Sequence, residues 1–208
     1  MFGLGKSELD KGLDAFAQRS WKRARKHLED SVSEAPDAVR DYHLGLLYWR
    51  GLGGERDPRA AVQCFERAAK EGHVAAQTAF GAALRTGVGV RKDPGEAMKL
   101  FRSAAGGDDV EAMLNLAEMS EPEDARHWLE RAAHLGHDGA MRALSDLLVN
   151  EEPVQALAWL YAGAALSGDD RARKRAGAIA AEMSAEEIEA AQRLGRSFVR
   201  DAQRKRKG

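Results

Sequence analysis

Apolar residues recur with helical spacing along the chain. Ala61, Phe65, Ala68 and Ala69 form an i, i+4, i+7, i+8 stripe, the apolar face of an amphipathic helix. Leu44, Leu47 and Tyr48 form a shorter stripe before it. Between the two, Gly51, Gly53 and Gly54 interrupt the pattern, and Asp57-Pro58 restarts it. An aspartate followed by proline is an N-cap acceptor followed by the residue best suited to the first helical position. Gly72 falls where a helix C-terminus needs a glycine. The pattern predicts a helix A, a glycine-rich loop, a helix B from Pro58 and a turn.

The same pattern returns 36 residues later: Gly51-Leu52-Gly53 as Gly87-Val88-Gly89, Asp57-Pro58 as Asp93-Pro94, Ala68-Ala69 as Ala104-Ala105. Gly45 and Gly81, and Phe65 and Phe101, keep that offset. Repetition at this period signals a solenoid, in which each supersecondary unit stacks on the next. Glu96 follows Asp93 by three residues, a capping-box variant. A third unit holds Ala112, Leu116 and Ala117, then Glu121-Pro122, then Ala125, Trp128, Leu129, Ala132 and Ala133. Ala105 to Ala133 is 28 residues, and the missing eight fall in the loop. A fourth runs from Ala140 and Leu144 through Pro153 to Trp159, Leu160, Ala164 and Gly168. A last one carries Ala172, Ala176, Gly177 and Ala180, then a Ser184/Glu187 capping box opening a helix through Ile188, Ala191, Leu194 and Phe198. At the start, Gly12, Trp21, Ala24, Leu28, Ser31 and Pro36 keep tetratricopeptide spacing. The expectation is an all-α protein of about six helix-turn-helix repeats. The units fall near 5–37, 38–72, 73–108, 109–137, 138–168 and 169–200, forming one repeat domain over 1–200 with a basic tail at 201–208.

Composition agrees. The chain has 208 residues, 44% of them hydrophobic, with 38 alanines and 5 prolines, four of them at expected helix starts. Alanine is the best helix former and lets helices approach closely. A net charge of −1 gives no global basic field for nucleic acid. Cys64 is the only cysteine, so no intramolecular disulfide forms, and its neighbours Val62 and Phe65 suggest a buried, inert thiol. The first residues lack the basic-then-apolar pattern of a signal peptide. The longest apolar run, Leu157 to Leu166, is ten residues, too short to span a bilayer. These features point to the cytoplasm.

The phased residues resemble the Sel1-like repeat family, a relative of the tetratricopeptide repeat. The resemblance rests on Leu44-Gly45 and Phe80-Gly81, on Gly51/Gly53 and Gly87/Gly89, on Ala68-Ala69 and Ala104-Ala105, on Ala132-Ala133 with Gly136 and on Ala164-Ala165 with Gly168. The run Met183 to Gln192 resembles the closing helix of bacterial members. The family implies a right-handed α-α superhelix, here of the cytoplasmic bacterial branch without cysteine pairs. The chain departs from the pattern in the third unit, which lacks the Gly-x-Gly loop and has Ser120 where Tyr48 sits. Cys64 stands where Trp128 and Trp159 stand in later units.

The family further implies that helix A lines a concave groove. The implied groove positions are Tyr42, Leu46, Trp49 and Arg50; Thr78, Ala82 and Arg85; Leu114, Glu118 and Glu121; and Arg142, Asp146 and Val149. The first group has the aromatic and arginine composition of binding hot spots. Tyr42 and Trp49 can equally pack between neighbouring repeats. Seven acids and no base lie between Asp108 and Asp124, which suits either a solvated face or an acidic patch carried by Glu111, Glu118 and Glu121. Arg193, Arg196, Arg200, Arg204, Lys205, Arg206 and Lys207 form a basic run against Asp201. Arg19, Lys22, Arg23, Arg25 and Lys26 form another, beside Trp21.

No catalytic or cofactor pattern stands out. His127 and His134 are seven residues apart on one helix, about 10 Å, too far for shared metal ligation, and His137 completes no zinc pattern. Gly51-Leu52-Gly53-Gly54 follows a helix and lacks the Gly-Lys-Ser/Thr of a phosphate loop. The expectation is a non-catalytic adaptor, without cofactor, metal or small-molecule substrate, that binds a peptide or protein. It would be a monomer or weak homodimer. The alternatives are a structural subunit that self-associates, with Phe2 and Leu4 as a patch, and nucleic-acid or anionic-surface binding by the 193–207 run.

Overall fold

Proline opens four of the helices because its missing N–H costs nothing there. Pro58, Pro94, Pro122 and Pro153 all stand in the first turn. The computed structural model describes residues 7–31 and 37–205. Over them the chain forms twelve α-helices and no strand, the all-α architecture that the periodicity predicts. They pair as α1 (Glu8–Ala17) with α2 (Trp21–Asp30), α3 (Ala38–Arg50) with α4 (Pro58–Lys70), and α5 (Val74–Thr86) with α6 (Pro94–Gly106). Then follow α7 (Val110–Glu118) with α8 (Pro122–His134), α9 (Asp138–Leu148) with α10 (Pro153–Ser167), and finally α11 (Asp170–Ala180) and α12 (Ala185–Lys205), which both pack on α10. Two compact units divide the chain, Met1–Asp109 and Val110–Gly208. Phe2, Leu4, Pro36, Arg206 and Lys207 lie outside the described residues.

The helix ends follow their sequence signals. Asp57 accepts from the N–H groups of Arg59 and Ala60, and Asp93 from that of Glu96, each at 3.0 Å. Gly51 and Gly87 close α3 and α5 in the left-handed region, at φ 66° and 80°. Ser184 and Glu187 form the expected capping box. Glu96 does not complete one: its carboxylate pairs with Lys99 instead, 2.9 Å away.

In the first unit, glycines on A helices receive large side chains from B helices. A Cβ at Gly12 would stand 2.6 Å from Leu28; at Gly45, 2.6 Å from the Phe65 ring; at Gly81, 2.8 Å from the Phe101 ring. Leu28, Phe65 and Phe101 are buried as a result. The Leu-Gly and Phe-Gly steps of the repeat are therefore sockets for the next helix's core residue. Gly53 and Gly89 seat each loop on the preceding hairpin, against the backbone of Trp21 and Pro58 respectively.

The same unit buries charge. Arg40 and Asp41 are each 3% exposed. Arg40 donates to the Ser31 carbonyl at 3.1 Å and pairs with Asp41 at 3.2 Å. Arg67 adds two bonds to the same carboxylate, at 2.9 and 3.2 Å, and reaches the Cys64 sulfur at 3.3 Å. Burial pushes the Cys64 thiol above its ordinary pKa, which leaves it protonated and unreactive.

The second unit is built around α10, the most apolar helix. Leu157, Leu160, Ala172, Ala176 and Ala191 are buried there. The Trp159 and Phe198 rings stack at 3.7 Å, with His134 edge-on to both. Helix α12 runs on through Lys205, and Ala202 is fully buried, so residues 201–205 continue the last helix.

Candidate partner-binding surface

In the first unit the expected groove residues sit on α3 and α5. The Tyr42 ring stacks on His73 at 4.5 Å. His73 is itself the N-cap of α5, its ring nitrogen accepting from the Ala76 N–H at 3.2 Å. Burial raises the Tyr42 hydroxyl pKa, with Arg50 opposing that shift and Asp109 adding to it. Thr78 donates to Asp109 at 3.1 Å. Tyr42 and Thr78 thus meet the residue before the next A helix, and part of each side chain serves repeat packing. Leu46, Ala82 and Arg85 are partly buried.

Trp49 is held by Phe65 and Arg56. Its ring lies 6.2 Å from Phe65, the Arg56 guanidinium stands 5.6 Å from its centroid, and Arg56 Nε donates to its carbonyl at 3.0 Å. The ring remains partly exposed, and Arg50 beside it is exposed, with no carboxylate partner among the described residues. Arg85 occupies the position in α5 that Trp49 holds in α3, 36 residues on.

In the second unit the expected positions divide. Arg142 pairs with Asp138 on its own helix and with Asp169, the N-cap of α11. Asp146 pairs with Arg175 of α11 at 2.6 Å. Leu114 and Val149 are partly buried, and Glu118 and Glu121 are exposed. Glu121, Glu123 and Asp124 line a cavity of about 590 Å³ with Leu147, Leu148, Arg126 and Glu151. The acidic run therefore gains Glu151 from the turn after α9, a member distant from it in sequence.

The histidines serve packing and capping. His134 lies against Trp159 and Phe198, and the His137 ring accepts from the Ala140 N–H at 3.1 Å to cap α9. One donor set was invisible in the sequence because two helices assemble it. Glu8, His27 and Asp30 bring ligand atoms within 4.8 Å of one another. Glu8 and His27 are already joined at 2.6 Å, and Lys11 pairs with Glu8 at the same distance. Lys11 first and His27 second hold the Glu8 carboxyl below its ordinary pKa. No helix among the described residues is long and apolar enough to cross a membrane.

Comparison with known proteins agrees with the geometry. The Sel1 repeat family matches residues 41–73, 74–109 and 110–137. Chitin synthase regulatory factor 3 of Schizosaccharomyces pombe is 27% identical over 154 residues, covering 68% of this chain and 16% of its own length. An uncharacterized protein of Neisseria meningitidis serogroup B is 33% identical over 132 residues, covering 60% and 28%. The chain thus spans under a third of either curated relative. Among solved structures, a Sel1 repeat protein from Oxalobacter formigenes superposes with a TM-score of 0.74 at 22% identity, covering 93% of this chain and 83% of that one. A protective antigen of uropathogenic Escherichia coli, which displays the same repeat fold, gives 0.72 at 24% identity, covering 95% and 45%. Sel1 repeat proteins generally mediate protein–protein interaction and are typically non-catalytic. Residues 41–137 thus carry three Sel1 repeats, and the chain shares the helix-pair fold of solved Sel1 repeat proteins.

Proposed function

We propose that the protein is a non-catalytic adaptor that holds a peptide or protein partner on the A-helix face of its first unit, at Trp49 and Arg50. One observation carries the reading. The Trp49 ring is fixed by Phe65 and Arg56 yet left partly open, next to an exposed arginine without a carboxylate partner among the described residues. A rigid aromatic loses little entropy on binding, and an arginine at its edge supplies directed hydrogen bonds, the residue types that dominate interface energetics. Leu46, Tyr42, Thr78 and Arg85 extend the same surface. In the second unit, Leu114, Glu118 and Glu121 are the corresponding candidates, while Arg142 and Asp146 reach a partner only by giving up their pairs with α11. The buried Cys64 thiol suits a reducing compartment such as the cytoplasm.

The test compares wild-type protein with a Trp49→Ala/Arg50→Glu double variant, first by circular dichroism and then by affinity capture from native lysate with mass spectrometry. The expected result is a folded variant that loses the specific partner, with affinity reduced at least about tenfold. Equal capture by the folded variant overturns the assignment.

A further inference from the structure

The end of the second unit carries a surface that the adaptor reading does not use. Tyr161 and Ala165 of α10 and Gly195 and Val199 of α12 line a groove of about 400 Å³. Its polar members are Gln192, Arg196 and Arg200, all on α12. These three follow each other at i, i+4 and i+8, one row along the helix, and Gly195 and Val199 form the neighbouring apolar row. The groove narrows to backbone contact at Gly195, where a Cβ would stand 2.9 Å from the Ala158 carbonyl oxygen. From Gln192 to Arg200 the groove is about 12 Å long, or roughly two helical turns.

Charge says what fits it. Arg193 is paired with Glu189 and Arg204 lies near Asp201, whereas Arg196 and Arg200 are exposed and have no carboxylate partner among the described residues. Two arginines one turn apart, beside an apolar floor, form one half of a helix-in-groove interface. The geometry points to a second docking site, between α10 and α12, for an amphipathic helix of a partner protein. That helix carries apolar residues at i and i+4 over the floor and acidic residues on the flank facing Arg196 and Arg200. The apolar floor supplies affinity, and the arginines set orientation and select against basic helices.

The probe is a fluorescein-labelled peptide of about four helical turns, with leucines at i, i+4 and i+7 and glutamates along one flank, and a twin with lysines for the glutamates. Fluorescence anisotropy on the full chain should show the acidic peptide binding at least about tenfold tighter than its twin. Arg196→Glu/Arg200→Glu should reverse that preference, and Val199→Asp should abolish both, with circular dichroism confirming the fold of each variant. A charge swap that reverses selectivity is not a consequence of a merely structural role. Equal binding of the two peptides, or a preference that survives the double reversal, overturns the proposal. So does binding of phosphatidylglycerol vesicles that Arg196→Glu/Arg200→Glu abolishes and Val199→Asp leaves intact, which assigns the arginines to a lipid surface. Dimerisation of the chain that Val199→Asp abolishes in sedimentation also overturns it, because the occupant is then a second copy.

Discussion

A Cβ on Gly89 would stand 2.4 Å from the carbonyl oxygen of Pro58. Gly53 stands in the same relation to Trp21, again at 2.4 Å. Each Gly-x-Gly loop presses its second glycine onto the first turn of the previous hairpin's B helix. Both glycines also have positive φ, 78° and 79°. The repeated glycine thus meets two requirements at once, a left-handed backbone and a neighbour too close for any side chain.

Gly89→Ala should therefore cost about 2 kcal/mol or more, the sum of left-handed strain and the clash with a backbone atom that cannot rotate away. Gly72→Ala is the control: φ is 81° but nothing lies within 4 Å, so only the conformational cost of about 1 kcal/mol applies. Urea unfolding of both variants separates the two contributions. Equal losses would show that the contact with Pro58 contributes nothing.

Asp41→Ala should be among the most damaging single changes, at about 3 kcal/mol or more. It leaves Arg40 buried beside an empty site, while Arg67, with a side chain 47% exposed, can turn to water. Arg67→Ala should accordingly cost less than Asp41→Ala. Denaturant midpoints check the order, and a larger loss for Arg67→Ala contradicts it.

Helix periodicity, caps and the Gly-x-Gly echo were legible because each is a local requirement written within one or two turns. The Arg40–Asp41–Arg67 network was not, because Asp41 and Arg67 are 26 residues apart and nothing in their spacing marks them as partners. Several of the implied groove positions also make junction contacts that the sequence did not mark. Tyr42 meets His73, Thr78 meets Asp109, and Arg142 meets Asp169. In each pair the second residue immediately precedes an A helix, so one repeat position does junction work with three chemistries: ring stacking, a hydroxyl-to-carboxylate hydrogen bond and an ion pair. A pattern search for one residue type cannot find a position defined by location alone.

Acid should weaken the first unit through His73. Burial holds its pKa below the ordinary 6.5, with His43 lowering it further and Asp37 opposing. Its Nδ1 must be unprotonated to cap α5. The folded value lies below the unfolded one, so the unfolded chain takes up the proton first. Stability is complete above about pH 6.5 and falls as the pH drops below it. His73→Asp keeps a cap acceptor, as Asp169 does at the same repeat position, and removes the imidazole. The melting temperature should fall less between pH 7 and pH 5 in that variant than in wild type. His134, also depressed chiefly by burial, retains its own share of the loss in the same range. Parallel profiles for the two proteins would dismiss His73 as the acid-sensitive group.

Arg142 and Asp169 give the cleanest measure of junction coupling. Their side chains are 34% and 20% exposed, so solvent screens the pair in part, and a coupling of about 0.5–1 kcal/mol is expected. Asp169 also caps α11, accepting from the Arg171 N–H at 2.8 Å, and Asp169→Ala would lose cap and ion pair together. Asp169→Asn keeps a capping oxygen and removes only the charge. A double-mutant cycle of Arg142→Ala with Asp169→Asn therefore isolates the ionic contact, and high salt should shrink the coupling. Additive losses at low salt would mean that the Arg142–Asp169 contact contributes nothing to the junction, leaving Arg142 free to serve the partner surface.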